Sequence, residues 1–344
     1  MTPRRGTGNG TPPPSPLGLT GLGTYLPEES RSNDEVARTL PVSGQWITDR
    51  TGVRSRRVAS PEETTVSMAT AAAEEALADA GIDAGDVRLL IAGSTTAEQL
   101  SPAVAAEVQA RIGARRAVAF DVSAACSGFL FGLHLTRAMY VSDPQRVPAL
   151  VVGTERFTAA VDPSDRSTAS IFGDGAGAVV ISPVTDSAGL IGSVIGTESP
   201  VDPPVTVKLD PSMPGGARVA MTGHRVRDYA LRLIPQAVQE TLRQTGARLE
   251  DVRHFVPHQA NPHLIEDIAT ELHVPAERVA VTGDVLGNTG SASIPLTLAH
   301  LRSRGDLHAG DLVLCAAVGA GLSWAGALLR WVEPTGAHTA APRS

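Results

Sequence analysis

Three side chains in this 344-residue sequence could do chemistry together if the fold brings them close: Cys126, His258 and Asn288. Cys126 stands in "DVSAACSGF", where an apolar run ends at Val122, small residues turn the chain and a helix begins. A thiol at a helix N-terminus feels the positive end of the helix dipole, which lowers its pKa and supplies thiolate. The free N–H groups there can also hold a developing oxyanion. A buried structural cysteine would satisfy the same letters. His258, in "HFVPHQAN", follows the apolar pair Phe255-Val256, where a side chain emerges into a crevice, and Pro257 stiffens the backbone beside it. A capping or surface histidine is the plain alternative. Asn288, in "LGNTGSASIPLTL", lies in a tight loop of glycines and serines. It either holds the turn or donates its amide to a carbonyl oxygen that gains charge.

Other candidates carry less. His254 lies on the strand side of its run and is the weaker histidine. His258, Asn261 and His263 lack a carboxylate or thiol at useful spacing, so no metal site is expected. "AVGAGLSWAG" holds Gly319, Ala320 and Gly321, but strand rather than helix follows, so it is not a dinucleotide loop. "FGDGAGAVVI" reads the same way, and tight hairpins that turn backbone N–H groups to the site fit both. Cys315 lies inside an apolar run and reads as core.

The elements that must position these groups alternate. Short apolar runs at 88–92, 117–122 and 149–153 read as strands, and periodic stretches at 66–80, 102–112 and 127–142 read as helices. Strands separated by helices suggest a largely parallel sheet. The pattern then repeats. "EEALADAGIDAGDVRLLIAG" from Glu74 lies over "QETLRQTGARLEDVRHFVPH" from Gln239, matching Gly81 with Gly246 and Asp86-Val87-Arg88 with Asp251-Val252-Arg253. "RAVAFDVSAACSG" corresponds to "RVAVTGDVLGNTGSAS", and "ALVVGTE" to "LVLCAAVGAG". Three matches in one order favour two copies of one α/β unit, with loops at the carboxyl ends of both sets of strands meeting at one site. The expected division is a disordered arm over 1–17, halves over 18–185 and 186–335, and a disordered tail over 336–344.

Composition narrows the class. The formal charge is −7, with 29 basic and 36 acidic residues, which argues against a nucleic-acid binder. No apolar run approaches the ~20 residues of a membrane span. Two cysteines make no disulfide framework and no secretory leader is visible, so a cytoplasmic location is expected.

Five motifs stand in order: "DVSAACSGF", "FGDGAGA", "PHQAN", "GNTGSAS" and "GAGLSWAGALL", preceded by "GQWITDRTGVRSRR". Over about 18–332 the chain resembles the β-ketoacyl-acyl carrier protein synthase III family of the thiolase superfamily. The resemblance implies a duplicated α-β-α-β-α layered fold with two mixed, largely parallel sheets. It implies a Cys-His-Asn triad at Cys126, His258 and Asn288, and an oxyanion hole from the N–H groups of Cys126 and Ala320. Ala320 stands where the family usually has glycine, a change that keeps the backbone donor. It implies substrate contacts at Trp46, Arg50 and Arg166 for coenzyme A, at Gly223 and Asn261 for the pantetheine arm, and at Met221 beside the acyl pocket.

The implied reaction acylates Cys126 from acyl-CoA, which is a substrate and not a cofactor. A decarboxylative Claisen condensation with malonyl-acyl carrier protein follows, without metal or redox cofactor. The implied assembly is a homodimer paired along the sheet edge at "AVAFDV". Three departures stand out: Pro262-His263 where the family commonly has "HQANLRI", a Pro-rich 196–215, and a longer arm. The alternative is acyl transfer to an alcohol or amine without decarboxylation, against which Asn288 counts, because such relatives often carry a carboxylate there. A biosynthetic thiolase would want a second catalytic cysteine near the last Gly-rich loop, where Cys315 is out of register. A non-enzymatic partner is disfavoured by the complete triad.

Overall fold

The structure, a computed structural model, describes residues 15–185 and 188–333. The expected arm and tail fall on residues outside these, apart from Ser15–Leu17, and Leu17 already opens the first strand.

The expected helices and strands form with small shifts of their ends. The helix Thr65–Ala80 starts where Thr64 caps the Ser67 N–H and stops at Gly81, whose φ of 64° suits a residue without a Cβ. A 3-10 turn at Ala84–Asp86 leads into the strand Leu89–Gly93. The second copy follows the same path: helix Gly223–Thr245, Gly246 at φ 67°, a turn at Leu249–Asp251 and the strand His254–Pro257.

The sheets share one plan. The first runs Leu17–Tyr25, Asp174–Pro183, Ala149–Arg156, Leu89–Gly93, Val118–Val122. The second runs Gly189–Thr197, Ser323–Arg330, Leu312–Gly319, His254–Pro257. A fifth strand is missing from the second. The segment that corresponds to Val118–Val122 makes only the bridge Phe255–Val279. The Thr282 and Gly283 N–H groups are instead taken by Gln259 Oε1, at 2.9 and 3.1 Å, which turns the chain out of the ladder.

Both sheets are mixed, as expected, but "largely parallel" is corrected. Leu89–Gly93 pairs in parallel with both its neighbours, and His254–Pro257 with Leu312–Gly319. The other four pairings are antiparallel. In the second half Leu312–Gly319 folds straight back into Ser323–Arg330, a short return that suits antiparallel pairing, while in the first the segment 157–173 joins the equivalent antiparallel pair.

Helices Gly128–Ser142 and Ser293–Ser303 lie between the sheets, where Phe129, Leu130, Leu133, Ile294 and Leu298 fill the central core. Thr65–Ala80 and Val104–Ile112 cover the outer face of the first sheet. Gly223–Thr245 and Pro262–Glu271 cover that of the second. Full burial of side chains such as Leu90, Ile91 and Phe255 contributes roughly 1.5–3 kcal/mol each. The result is five layers, α-β-α-β-α, with both central helices starting at the same end of the sheets. Among the described residues no helix is long and apolar enough to cross a membrane.

Candidate active site

Cys126 sits in a 3-10 turn, Ala125–Ser127, between the end of Val118–Val122 and the start of Gly128–Ser142. The preceding Ala125 has φ 46°, a left-handed conformation that costs an L-residue roughly 1–2 kcal/mol. Buried hydrogen bonds hold it there. Ser127 Oγ donates to the Ser323 carbonyl at 3.0 Å, and Ser323 Oγ donates to the Ala124 carbonyl at 2.7 Å. The loop after Leu312–Gly319 is thereby laid over the cysteine turn. A Cβ on Gly319 would stand 2.9 Å from the Cys126 nitrogen, so only glycine allows this approach, and Ala320 follows at once.

The thiol corrects one expectation. Burial pushes Cys126 up to about 12, the negative charge of Glu155 adds to that, and the residue's own N–H pulls weakly the other way. The cysteine residue retains partial exposure while its sulfur is enclosed, and desolvation outweighs the helix terminus.

His258 emerges just past His254–Pro257 and is buried. Its Nδ1 lies 2.8 Å from Ser293 Oγ, and its backbone N–H donates to the Ala316 carbonyl at 2.8 Å. Burial lowers the imidazole to about 4, against a small opposing pull from a backbone bond at Gly290, so the ring is neutral near pH 7. Asn288 is also buried. Its backbone bridges to Phe172: the Asn288 N–H donates to the Ile171 carbonyl at 2.7 Å, and the Gly173 N–H donates to the Asn288 carbonyl at 3.1 Å. This is how "FGDGAGA" positions the "GNTGSAS" loop. Asn288 Oδ1 accepts from the Gly290 N–H at 2.9 Å, which leaves Nδ2 as the donor that can face a substrate.

Gly290 therefore engages both the amide and the imidazole. It opens a 3-10 turn, Gly290–Ala292, which packs on the cysteine turn and leads into Ser293–Ser303. Gly93, Gly128 and the Ser291 hydroxyl meet beneath: a Cβ on Gly93 would fall 2.6 Å from Ser291 Oγ and 2.9 Å from Gly128 Cα. The three expected groups thus come from adjoining turns.

The residues expected to bind substrate are spread over one neighbourhood. Trp46 lies in the helix Gly44–Thr51, half-buried, with the Arg166 guanidinium 5.5 Å over its ring. Arg50 is exposed on the last turn of that helix. Gly52, which ends it at φ 76°, abuts Pro262 and His263 at the start of the helix Pro262–Glu271. Asn261 caps that helix by accepting the Leu264 N–H at 3.0 Å, so its oxygen has a structural duty. Met221 ends a strand beside the short helix Arg166–Ala169, and Gly223 is exposed at the start of the next helix. The Pro-rich 196–215 supplies Val205–Leu209, which pairs with Ala217–Met221 in an antiparallel ribbon. His254 contacts the Asp306 carbonyl instead of the site, and Cys315 is wholly buried in the central core.

Two site residues were missed. Ser293 stood inside the quoted "GNTGSAS", and its only signal is its place where the second helix begins. Glu155 stood in "VVGTE", where a carboxylate ending an apolar run was the available signal.

A duplicated, five-layered α/β fold with this joined set of turns is thiolase-like. The comparisons with known proteins agree. Residues 120–199 match the model for 3-oxoacyl-[acyl-carrier-protein] synthase III, and residues 242–331 match that for its C-terminal part. The β-ketoacyl-[acyl-carrier-protein] synthase III of Roseiflexus sp. is 40% identical over 322 residues, which cover 91% of this chain and 98% of that protein. The crystal structure of the 3-oxoacyl-[acyl-carrier-protein] synthase III of Aquifex aeolicus has a TM-score of 0.86 at 36% identity, covering 92% of this chain and all of that one. The priming β-ketosynthase of the R1128 polyketide pathway has a TM-score of 0.84, also at 36% identity, covering 95% of this chain and 99% of that one. The chain belongs to the 3-oxoacyl-[acyl-carrier-protein] synthase III family. It is an acyltransferase-type condensing enzyme of fatty-acid or polyketide initiation.

Proposed function

We propose that Cys126, His258 and Asn288 carry the condensation, with acyl-CoA as the donor and a malonyl carrier protein as the extender. The observation that supports this best is Gly290. Its N–H bonds the Asn288 amide oxygen, its backbone lies near enough the His258 ring to act on its titration, and its turn packs on that of Cys126.

Cys126 Sγ attacks the thioester carbonyl of acyl-CoA. Its proton leaves with the departing coenzyme A sulfur, so the resting thiol ionises only as the bond forms, and the neutral His258 ring keeps its N–H for the second half-reaction. The N–H groups of Cys126 and Ala320 stabilise the tetrahedral oxyanion. The malonyl thioester enters next. The His258 ring and Asn288 Nδ2 donate to its thioester oxygen, carbon dioxide leaves, and the resulting enolate carbon attacks the acyl-cysteine. The Cys126 sulfur departs as thiolate and takes one proton from solvent. The bonding electrons of the lost carboxylate make the new C–C bond, so there is no net redox step.

Trp46 and Arg166 hold the adenine and phosphate end of coenzyme A, with Arg50 beside them, and the pantetheine arm passes Gly223 and Asn261 toward Met221. His263, which abuts Gly52, takes the place of the family's basic residue that greets the carrier protein. The edge strand Val118–Val122 exposes Val118, and along it a second copy would complete a homodimer.

Intact-mass measurement after incubation with a mixed acyl-CoA pool tests the assignment. A single acyl adduct on Cys126, absent from Cys126→Ala, is expected, followed by carbon dioxide release from malonyl carrier protein. An adduct on the alanine variant overturns the nucleophile. Transfer to an alcohol or amine without carbon dioxide release would mark the alternative acyltransferase. A monomeric mass by light scattering would overturn the dimer.

A further inference from the structure

Glu155 is fully buried, and the mechanism above gives it no task. It is the penultimate residue of the strand Ala149–Arg156, next to the carboxyl end of Leu89–Gly93. Its carboxylate accepts the Thr95 N–H at 3.0 Å, the Thr95 hydroxyl at 3.1 Å and the Thr96 hydroxyl at 2.8 Å. A backbone bond from Ser291 adds to these. On its other side it touches Gly290. A Cβ there would fall 2.8 Å from Glu155 Cγ and 3.1 Å from Oε1, so the glycine lies directly on the carboxylate. No cation lies among these partners. A buried carboxylate held by neutral donors is costly unless it has a function or a structural duty that offsets the cost.

We propose that Glu155 is a positioning residue of the active site: its carboxylate seats the Gly290 turn, which aligns His258 and Asn288. In that seat its negative charge also acts on the enclosed Cys126 thiol, in the turn on which Gly290–Ala292 packs, and favours the protonated form. This rests on the assignment of Cys126 as the nucleophile. The geometry reaches all three groups. The Gly290 N–H bonds Asn288 Oδ1, its backbone acts on the His258 ring, and the Gly290–Ala292 turn packs on Ala125–Ser127. A thiol kept protonated resists alkylation and oxidation between turnovers.

The titratable groups that face Glu155 are few. Cys126, in the turn packed on Gly290–Ala292, lies within reach of its charge, and the ring of His258 is near Gly290. From the neighbouring strand end come only the Thr95 and Thr96 hydroxyls, and Gly175 stands opposite in the ladder. The Arg156 side chain turns away to the Ser60 carbonyl, and Asp174 bonds Ala59 and Thr158. Burial raises Glu155 to about 7 and Asp174, whose bonds turn to Ala59 and Thr158, to about 6, while His258 stays neutral there.

The test is the rate of Cys126 alkylation by iodoacetamide from pH 5.5 to 9, read by peptide mass, in the wild type, Glu155→Gln and Glu155→Asp. The wild-type log rate should climb, flatten near pH 7 as Glu155 ionises and raises the thiol pKa, then climb again. Glu155→Gln should climb in one straight line and react at least about threefold faster at pH 8, because thiolate fraction changes tenfold per pKa unit. Superposable profiles for these two proteins would overturn the charge role. Glu155→Asp keeps the charge but withdraws from Gly290. It should keep the flattening and lose condensation kcat with little change in acyl-CoA KM, whereas unchanged kcat would overturn the positioning role. Should both variants unfold, Thr95→Val retains the carboxylate and removes one donor. Its flattening should move to higher pH, and an unmoved profile overturns the proposal. Failure of the wild type to form acyl-Cys126 would sink the nucleophile assignment instead, and the alkylation profile would still decide Glu155.

Discussion

Ser293 Oγ stands 2.8 Å from Nδ1 of His258, at the start of the helix that runs back between the two sheets. The same oxygen accepts the Gln259 N–H at 3.4 Å. The hydroxyl therefore ties the imidazole to a central element of the fold and sets its direction. Replacing Ser293 by Ala should lower condensation kcat roughly threefold to tenfold, the value of one buried hydrogen bond. Acylation of Cys126 should suffer less, because alignment with Asn288 matters most in decarboxylation. Single-turnover measurement of each half-reaction checks this.

The lowered His258 pKa has a sign that can be measured. The folded ring titrates at about 4, and an unfolded histidine near 6.5. As pH falls from 6.5 toward 4 the unfolded chain takes up a proton that the folded chain refuses, so stability is lost in that window. The loss is about 1–3 kcal/mol for this group. Denaturant midpoints at pH 7 and 5 should converge more in His258→Asn than in the wild type. The decarboxylation step should likewise keep its His258-dependent rate well below pH 6.

Gly290 has φ 52°, and an added Cβ would fall 2.6 Å from Phe157 Cε2. Gly290→Ala should destabilise the protein by roughly 2 kcal/mol or more, through the backbone and the clash together. It should also depress condensation more than the stability loss explains, since Asn288 and His258 both lean on this residue. Thermal unfolding alongside initial rates would separate the two effects.

Arg166 stacks over Trp46 at 5.5 Å. Arg166→Ala should raise the acyl-CoA KM several-fold, about 1 kcal/mol of lost cation–π and phosphate contact. Alkylation of Cys126 by iodoacetamide should not change, because that reagent does not use the entrance.

Asp79 and Arg302 join the two halves. Both guanidinium nitrogens donate to the carboxylate, at 2.7 and 2.9 Å, and Asp79 also accepts the Leu22 N–H at 2.9 Å. Asp79→Ala should cost about 1–3 kcal/mol, because a buried N–H and a part-buried cation lose their partner. Arg302→Ala should cost less, since the Leu22 bond survives. Equal losses in denaturant titration would contradict this division.

Much of this protein was legible in its letters. Periodicity marked the helices, Gly81 and Gly246 marked where they stop, and the repeat from Glu74 and Gln239 announced two copies of one unit. Ordered motifs around Cys126, His258 and Asn288 pointed to one family and one chemistry. These signals are local, or they are repeats of local signals, so they survive without coordinates. The tertiary structure decided what depends on distance and burial. It placed Gly290 between the imidazole and the amide, seated Glu155 under that glycine, stacked Arg166 on Trp46, and ended the second sheet one strand early where Gln259 takes two backbone donors. It also reversed the expected shift of the Cys126 thiol. A helix terminus can be read from sequence, but the desolvation that outweighs it comes from atoms brought in from both halves of the chain.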